Sequence, residues 1–280
     1  MSAEFELVTL RNGERAVRHL GHGEVMHPSI GPWGEAQRLY VEQCELGRRL
    51  CEASEMPLVI YDVGLGAGTN AVAALTCARG LGAARTRPLE VVSFEFTLEP
   101  LRLALADAPG FPFLQPFRAA VESLLAGRNW SEGGLTWRLH LGDALEHLDA
   151  EQAPAELVFF DPFSPASNPL MWTPAALARV HARCRAEAIL TTYSAATPTR
   201  VSLLLAGFYV GAGLSTGTKG ETTVAAVKRE SLLAPLGTLW LDRWRRSSAR
   251  APHGEALTAE CEQQIESHPQ WQVPRTTSAP

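Results

Sequence analysis

The sequence predicts an α/β fold in which a largely parallel sheet is covered by helices on both faces. In the centre of the chain, short apolar runs typical of buried strands alternate with segments of helical periodicity. Strands that alternate with helices of this length form βαβ units, and such units build parallel sheets. The 280 residues, of which 46% are hydrophobic and 20% charged, suit either one large domain with additions or two smaller domains.

The first 50 residues predict a lead-in to the main fold. Residues 1 to about 35 alternate short apolar runs with glycine and proline, a pattern that favours a hairpin. In residues 33–53, apolar side chains recur at the spacing of one helix face. We therefore predict a hairpin followed by one helix in residues 1–50.

The main domain is expected in residues 51–230. Parallel strands are predicted in residues 57–64, 89–96, 135–145, 155–161 and 186–194. Helices are predicted between and after these strands, in residues 68–82, 99–108, 113–127, 173–184 and 197–207. Residues 208–217 and 222–229 read as two closing strands, and their short connection predicts an antiparallel hairpin.

The last 50 residues differ in character, and we expect residues 231–280 to form a partly flexible C-terminal extension. Arginines stand beside Trp240 and Trp244 in this segment. The stretch is either an amphipathic helix packed on the domain or a surface that touches RNA. Its end, in residues 269–280, reads as a loose tail.

Composition and charge narrow the class of protein. The net charge of −5 gives no basic surplus of the kind that many nucleic-acid binders show. No apolar run is long enough for a transmembrane helix, and the N-terminus lacks the pattern of a signal peptide. The five cysteines are scattered and form no CxxC pair, which argues against disulfides and against a structural zinc site. We expect a cytoplasmic protein without a metal.

A glycine turn follows the first strand of the main domain, in the stretch "YDVGLGAGTNAV". Glycine allows positive φ and close approach of the backbone to a ligand, and the next helix offers free N–H groups. Read from Gly66, the stretch is G-x-G-x-x-A, a dinucleotide pattern. Read from Asp62, it is acid-x-G-x-G-x-G through Gly64, Gly66 and Gly68, the pattern of S-adenosylmethionine-dependent methyltransferases.

Acidic residues at the next strand ends help to choose between the two cofactors. Glu95 ends the second strand, where a carboxylate accepts hydrogen bonds from ribose under either interpretation. Asp143 follows the third strand, where methyltransferases usually hold the adenine amino group. The third acid and the closing strand pair favour the methyltransferase. Taken alone, each acid is equally well explained as a helix cap.

Asp161 ends the fourth strand and opens the stretch "DPFSPASNPLMWTP". A carboxylate in this crevice is suited to hold an amine N–H, aim its lone pair and relieve charge developing on nitrogen. Phe163 and Trp172 are candidates to stack on a planar base or to pack against the sulfonium. The alternatives are a simple strand-ending turn for the loop and a core position for Trp172.

These residues resemble a known family. The stretches "GLGAGTN", "DPFSPASNPLMWT", "LTTYSAA", "TRVSLLLAGFYV" and "GTKGE" are similar to the MnmC/MnmD-type methyltransferase of tRNA wobble-uridine modification, over residues from about 22 to 227. The resemblance implies a Rossmann-like class I fold with a mostly parallel seven-stranded sheet and an antiparallel last strand. It also implies methyl transfer from S-adenosylmethionine to 5-aminomethyl(-2-thio)uridine in tRNA, without the FAD-dependent oxidase domain of the bifunctional members.

The resemblance also implies roles for individual residues. The cofactor is expected to contact Asp62, Gly64, Gly66, Gly68, Asn70, Glu95, Asp143 and Asp161, with Glu95 at the ribose and Asp143 at the adenine. Asp161 would also hold the substrate amine. The lead-in would border the pocket, where His27 would contact substrate unless it caps or packs. Arg200 and Lys219 would touch RNA phosphate, although a helix-surface arginine is often only solvated.

Two other functions remain open from the sequence. An aminopropyltransferase of the spermidine-synthase kind has a similar fold and also grips an amine with carboxylates. It predicts a channel with several acids, and here only Glu35 is a candidate to join Asp161. The second alternative is a non-catalytic scaffold of the same fold that binds RNA or protein.

Overall fold

The computed structural model describes residues 4–26, 31–216 and 220–272. The lead-in begins with an antiparallel hairpin of β1 (Phe5–Thr9) and β2 (Arg15–His19), as the sequence predicts. Its connection to the main domain is helical, but it is not the single helix expected in residues 33–53. It consists of α1 (Pro32–Glu35), a π-helical segment (Ala36–Glu42) and α2 (Leu46–Leu50). The break before α2 lies at Glu45, which has a left-handed φ of 51°.

The main sheet has its parallel strands in the centre and antiparallel strands at both edges. In spatial order it contains β5 (Asn129–Glu132), β6 (Leu135–Leu141), β4 (Leu89–Glu95), β3 (Leu58–Val63), β7 (Ala155–Phe160), β8 (Cys184–Thr192), β10 (Thr222–Ala226) and β9 (Tyr209–Gly213). The mostly parallel sheet and the antiparallel closing pair are confirmed. The expected count of seven strands is wrong, since the described residues form eight strands in the main sheet. The additional strand, β5, is mostly exposed and polar, and so lacks the apolar pattern of a buried strand.

The sheet carries helices on both faces. In chain order these are α3 (Thr69–Gly80), α4 (Glu99–Ala106), α5 (Arg118–Gly127), α6 (Ala144–Ala150), α7 (Pro174–Ala182), α8 (Thr197–Leu205), α9 (Thr238–Arg246) and α10 (Ala259–Glu266). The helix expected in residues 113–127 starts as a 3₁₀ turn (Pro112–Phe117), because Pro116 has no N–H to donate. No helix among the described residues is long and apolar enough to cross a membrane.

Two apolar clusters lie on opposite faces of the sheet. Alternate residues of β3 supply both, because successive side chains of a strand point to opposite faces: Leu58 and Ile60 join one cluster, Val59 and Tyr61 the other. The second cluster also contains Trp240 and Trp244 of α9, which are 5% and 1% exposed. The arginine- and tryptophan-containing part of the C-terminal extension, α9, is therefore an amphipathic helix packed on the domain, and these two indoles are not available to stack on RNA.

The strand order defines where a ligand can bind. The chain passes from β3 outward through β4 to β6, and then returns to the other side of β3 with β7. In open α/β sheets, ligands bind outside the carboxyl ends of the strands at such a reversal. The register pairs Val63 with both Phe94 and Phe160, so the residues that follow these strands, Gly64, Glu95 and Asp161, are neighbours at this edge.

A charge network ties β4 and β6 to the end of α6. Arg138 donates to both oxygens of Glu151 at 2.9 and 3.1 Å and to Glu90 at 2.7 Å, while His140 Nε2 lies 2.9 Å from Glu151. Burial opposes ionisation of Glu151. The hydrogen bonds from Arg138, the Ala153 N–H and His140 outweigh burial and lower the pKa of this carboxyl to about 2.

We predict that Glu151→Gln lowers the free energy of unfolding at pH 7 by about 1–2 kcal/mol, a size reduced by solvent at the partly exposed Arg138. A carboxyl whose pKa is depressed by folding stabilises the protein above its unfolded pKa, near 4.5, and this contribution is lost as pH falls towards about 2. Urea denaturation of the wild-type protein and of Glu151→Gln, at pH 7 and at pH 3, measures this contribution to the free energy of unfolding. The difference between them should shrink at pH 3, and an equal difference at both pH values would contradict the assignment.

Candidate active site

A cavity of about 930 Å³ opens at the carboxyl ends of β3, β4, β6 and β7. One side is formed by the sheet edge, with Gly64, Gly66, Glu95 and Asp161 among its lining residues. The opposite side is formed by the lead-in. The volume falls in the range of cofactor and ligand sites, which run from about 300 to 1,000 Å³.

Gly64 allows two strand ends to meet at the base of the cavity. Its φ of +92° is a conformation that other residues rarely adopt. A Cβ at this position would lie 2.5 Å from the carbonyl oxygen of Asp161. The Asp161 N–H donates to the Val63 carbonyl at 2.9 Å, which fixes the end of β7 against the glycine turn. Glycine is therefore required here on both conformational and steric grounds.

Glu95 is bound to the same glycine turn. Its Oε2 accepts the Gly66 N–H at 2.8 Å, and its Oε1 accepts the N–H groups of Phe96 and Thr97 at 2.7 and 3.2 Å. Burial raises the pKa of Glu95, and the three N–H donors partly oppose this rise. The sequence places Glu95 and the turn at one crevice, and the structure joins them by a direct hydrogen bond.

Asp161 is held by Asn70 from the first turn of α3. The Asn70 Nδ2 donates to Asp161 Oδ2 at 2.7 Å, and Asn70 is 2% exposed. Asn70 is therefore a partner of Asp161, a role that differs from the direct cofactor contact predicted for it. Among the described residues that line the cavity, Asn70 is not included.

Two tyrosines lie within reach of the Asp161 charge. Burial raises the pKa of Tyr40, and the charges of Asp161 and then Glu35 raise it further. Burial likewise raises the pKa of Tyr193, followed by Asp161, Glu24 and Glu35. The Tyr193 hydroxyl donates to the Pro162 carbonyl at 3.1 Å. Both phenols thus remain protonated and share one polar cluster with the carboxylates.

The loop after β7 presents Phe163, and not Trp172, to the cavity. Trp172 is fully buried, and its indole N–H donates to the Phe163 carbonyl at 2.8 Å. The alternative of a core position for Trp172 fits, and its proposed stacking on a base does not, because no ring face is exposed. The Phe163 ring lines the cavity beside Phe5 and His19, at centroid distances of 6.4 and 5.6 Å.

Glu24 connects the lead-in to this loop. Its carboxylate accepts the Ser164 N–H and hydroxyl, both at 2.9 Å, and the Ser167 hydroxyl. These residues are 140 positions or more apart in the chain. No local sequence pattern identifies such a contact, and sequence reasoning missed Glu24. Through it, the hairpin becomes a wall of the cavity.

The remaining predicted cofactor residues occupy different positions. Asp143 lines the cavity and caps α6 through the Leu145 N–H at 2.8 Å. Asp62 is fully buried behind the glycine turn, where it accepts the Ser93 hydroxyl at 2.7 Å, and it does not line the cavity. Gly68 stands at the N-cap of α3, also outside the lining. Cofactor contact by Asp62 and Gly68 stays a prediction.

Arg200 is a structural residue and not a phosphate contact. It is 3% exposed and donates to Thr223 Oγ1, the Thr222 carbonyl and Glu221 at 3.0–3.1 Å, which ties α8 to β10. The helix pattern gave no sign of this burial. His27 and Lys219 lie outside the described residues, so their substrate contacts stay predictions.

Phe96 is a cavity residue that sequence reasoning missed. It follows Glu95, lines the cavity and is 80% exposed, which is unusual for an aromatic side chain. Asp143 and Leu145 line the same cavity. The signal in the sequence is an aromatic residue directly after the acid at a strand end.

We predict that Gly64→Ala lowers the free energy of unfolding by about 2–4 kcal/mol and moves Asp161, because the new methyl group meets its carbonyl. Gly80→Ala is the matched control, since Gly80 ends α3 with no atom within 4 Å of an added Cβ. The control should be neutral or slightly stabilising. Chemical denaturation of the three proteins gives the comparison, and equal stability of Gly64→Ala and wild type would contradict the assigned contact.

Comparison with known proteins relates this site to a family. Residues 118–228 match a family model described as S-adenosyl-L-methionine-dependent methyltransferase. The chain is 30% identical over 257 residues to the tRNA 5-methylaminomethyl-2-thiouridine biosynthesis bifunctional protein MnmC of Azoarcus sp. (strain BH72), covering 85% of this chain and 40% of that protein. It is 26% identical to the protein of the same name from Delftia acidovorans, covering 84% of this chain and 35% of that protein.

A solved structure has the same fold. The crystal structure of MNMC2 from Aquifex aeolicus matches with a TM-score of 0.73 and 24% identity, covering 96% of this chain and 85% of the other. The chain spans 35–40% of the length of the two MnmC relatives. The matched family model and the MnmC relatives show that the chain is similar to S-adenosyl-L-methionine-dependent methyltransferases of the MnmC/MnmD type, and the solved structure shows the same fold.

Proposed function

We propose that this protein methylates the amino nitrogen of 5-aminomethyl(-2-thio)uridine at the wobble position of tRNA, giving 5-methylaminomethyl(-2-thio)uridine. The observation that carries the proposal is Asp161, held by Asn70 at the base of a cavity that also contains the glycine turn and Glu95. The names of the MnmC relatives support tRNA as the partner. The proposed place of action is the cytoplasm.

The residues present fit S-adenosyl-L-methionine. Gly64 and Gly66 bring bare backbone to the cavity wall, and the Glu95 carboxylate beside them is suited to ribose hydroxyls. The exposed ring of Phe96 offers a flat apolar surface for the adenine, with Asp143 on the same side. When bound, the cofactor supplies a methyl group activated by a sulfonium.

Asp161 performs the positioning that this chemistry requires. A primary amine is protonated near neutral pH and has no lone pair until it loses a proton. The Asp161 carboxylate accepts an amine N–H and aims the nitrogen, and Asn70 fixes the orientation of that carboxylate. As positive charge develops on nitrogen, the same carboxylate stabilises it.

The uracil ring is proposed to lie against Phe163. Phe163 lines the cavity, and its backbone carbonyl is fixed by the Trp172 indole. Glu24 holds the next residues, Ser164 and Ser167, so the loop keeps its shape without the substrate. A preorganised wall reduces the entropy that binding of the base must overcome.

The direct experiment supplies the protein with S-adenosyl-L-methionine and tRNA that lacks only the final methyl group. Nucleoside mass spectrometry should find one added methyl group at the wobble uridine. Methylation of small amines but never of this tRNA would overturn the RNA part of the proposal. Failure of the wild-type protein to bind S-adenosyl-L-methionine in calorimetry would overturn the whole.

We predict opposite effects for two carboxylates. Asp161→Asn should lower kcat by about 100-fold or more with unchanged cofactor affinity, because Asp161 acts on the substrate amine. Glu95→Gln should instead weaken cofactor binding by about tenfold, since one charge-assisted hydrogen bond to ribose is lost. Calorimetry and single-turnover methylation separate the two effects.

Asp149→Asn is the matched control for this pair, because Asp149 is exposed and bound to Arg179 on the surface. It should change neither cofactor affinity nor kcat. Full turnover by Asp161→Asn would show that the loop after β7 has a different role.

A further inference from the structure

We infer that Glu35 is a second substrate carboxylate, which holds the ammonium form of the amine together with Asp161 and takes up the proton that leaves it. This inference rests on the proposed function and deepens it. It specifies the substrate group as a protonated primary amine. It also makes the lead-in part of the reacting centre.

The position of Glu35 is the first observation. Glu35 ends α1, lines the cavity and is only 4% exposed. Asp161 belongs to the sheet edge and Glu35 to the lead-in, and both residues line the same cavity.

The π-helical segment is the second observation. It begins directly after Glu35 and contains Tyr40. Its backbone shows the wide i to i+5 bond, from the Gln43 N–H to the Arg38 carbonyl at 3.1 Å. The charge of Glu35, directly before this segment, reaches the buried Tyr40 within it. Short π-helical segments occur frequently at functional sites.

The charges of Glu35 and Asp161 act on the same two phenol groups, those of Tyr40 and Tyr193. Both raise the pKa of Tyr40 and of Tyr193, after the larger effect of burial. The two phenols therefore stay protonated and cannot accept the substrate proton. Glu24 also acts on Tyr193, and its carboxylate holds the loop after β7 through Ser164 and Ser167.

The histidines of the cavity wall are placed differently. His19 packs edge-on against Phe163, and its Nδ1 accepts the His22 N–H at 3.2 Å. Neither His19 nor His22 is among the groups whose charge reaches Tyr40 or Tyr193. Of the cavity carboxylates, Asp161 and Glu35 are the two whose charges reach both Tyr40 and Tyr193.

Hydrogen bonding suggests a different role for each of the two carboxylates, Asp161 and Glu35. Asp161 Oδ2 accepts a hydrogen bond from Asn70, and this bond fixes the orientation of the Asp161 carboxylate. The carboxylate then accepts hydrogen bonds from the N–H groups that remain on the amine after one proton has left. Glu35 takes the departing proton: one N–H bond of the ammonium breaks, its electron pair stays on nitrogen, and an O–H bond forms on Glu35. The neutral amine then has its lone pair, and the proton returns to solvent after product leaves.

The test measures kcat/KM against pH for wild type, Glu35→Gln and Glu35→Asp, with tRNA carrying 5-aminomethyluridine. At pH 7, Glu35→Gln should be slower by about 100-fold, the usual size of a lost general base. Its rate should then climb by about tenfold per pH unit, because the amine must arrive already deprotonated. Glu35→Asp keeps a carboxylate and should keep the shape of the wild-type profile at a lower rate.

Glu42→Gln is the matched control. Glu42 ends the π-helical segment that follows Glu35 and is exposed, so the same chemical change there should leave the rate and the pH profile unchanged. Calorimetry with S-adenosyl-L-methionine should give equal affinity for all variants. Loss of cofactor binding in Glu35→Gln would mean that Glu35 is a structural residue, and the inference would be overturned.

The remaining outcomes are distinct. A Glu35→Gln variant within about threefold of wild type, or slower by the same factor at every pH, would overturn the inference and leave the proposed function intact. Absence of methylation by the wild-type protein would overturn the proposed function and the inference with it.

Discussion

The site depends on the close approach of Gly64 to the backbone of Asp161. The parallel pairing of β3 and β7 brings their carboxyl ends together, and the Asp161 N–H bond to Val63 holds them in contact. Only a residue without a side chain leaves room for the Asp161 carbonyl at this point. Once that contact is made, the Asp161 side chain reaches Asn70 on α3 and the Gly66 N–H reaches Glu95 on β4. The proposed amine site and the proposed cofactor site are thus built on one turn.

The second half of the cavity comes from outside the sheet. Glu24 fixes the lead-in to the loop after β7, and Glu35 of the lead-in also lines the cavity. The Glu24 contact joins parts of the chain 140 residues apart. In our proposal the lead-in contributes to chemistry as well as to enclosure. Exclusion of water by this wall strengthens each electrostatic contact inside the cavity.

Sequence reasoning succeeded where chain direction and strand order determine position. The carboxyl ends of parallel strands share one edge, so the sequence alone was enough to place Glu95, Asp143 and Asp161 together. It failed where burial decides the role. Arg200 occupies a core position that depends on packing between distant elements, whereas Trp172 takes the core position that the sequence left open as an alternative. Asp62 reads as a ligand but lies behind the turn, and the π-helical winding after Glu35 has no local signature.

The most direct test of the assigned site is a crystal structure of the protein with S-adenosyl-L-methionine bound. We expect density within the described cavity, with the ribose at Glu95, the adenine beside Phe96 and the methyl group directed towards Asp161 and Glu35. Reactive geometry would bring the methyl carbon to about 3–3.5 Å from an amine nitrogen held by these carboxylates. Density at another surface, or a methyl group directed away from Asp161, would contradict the central claim.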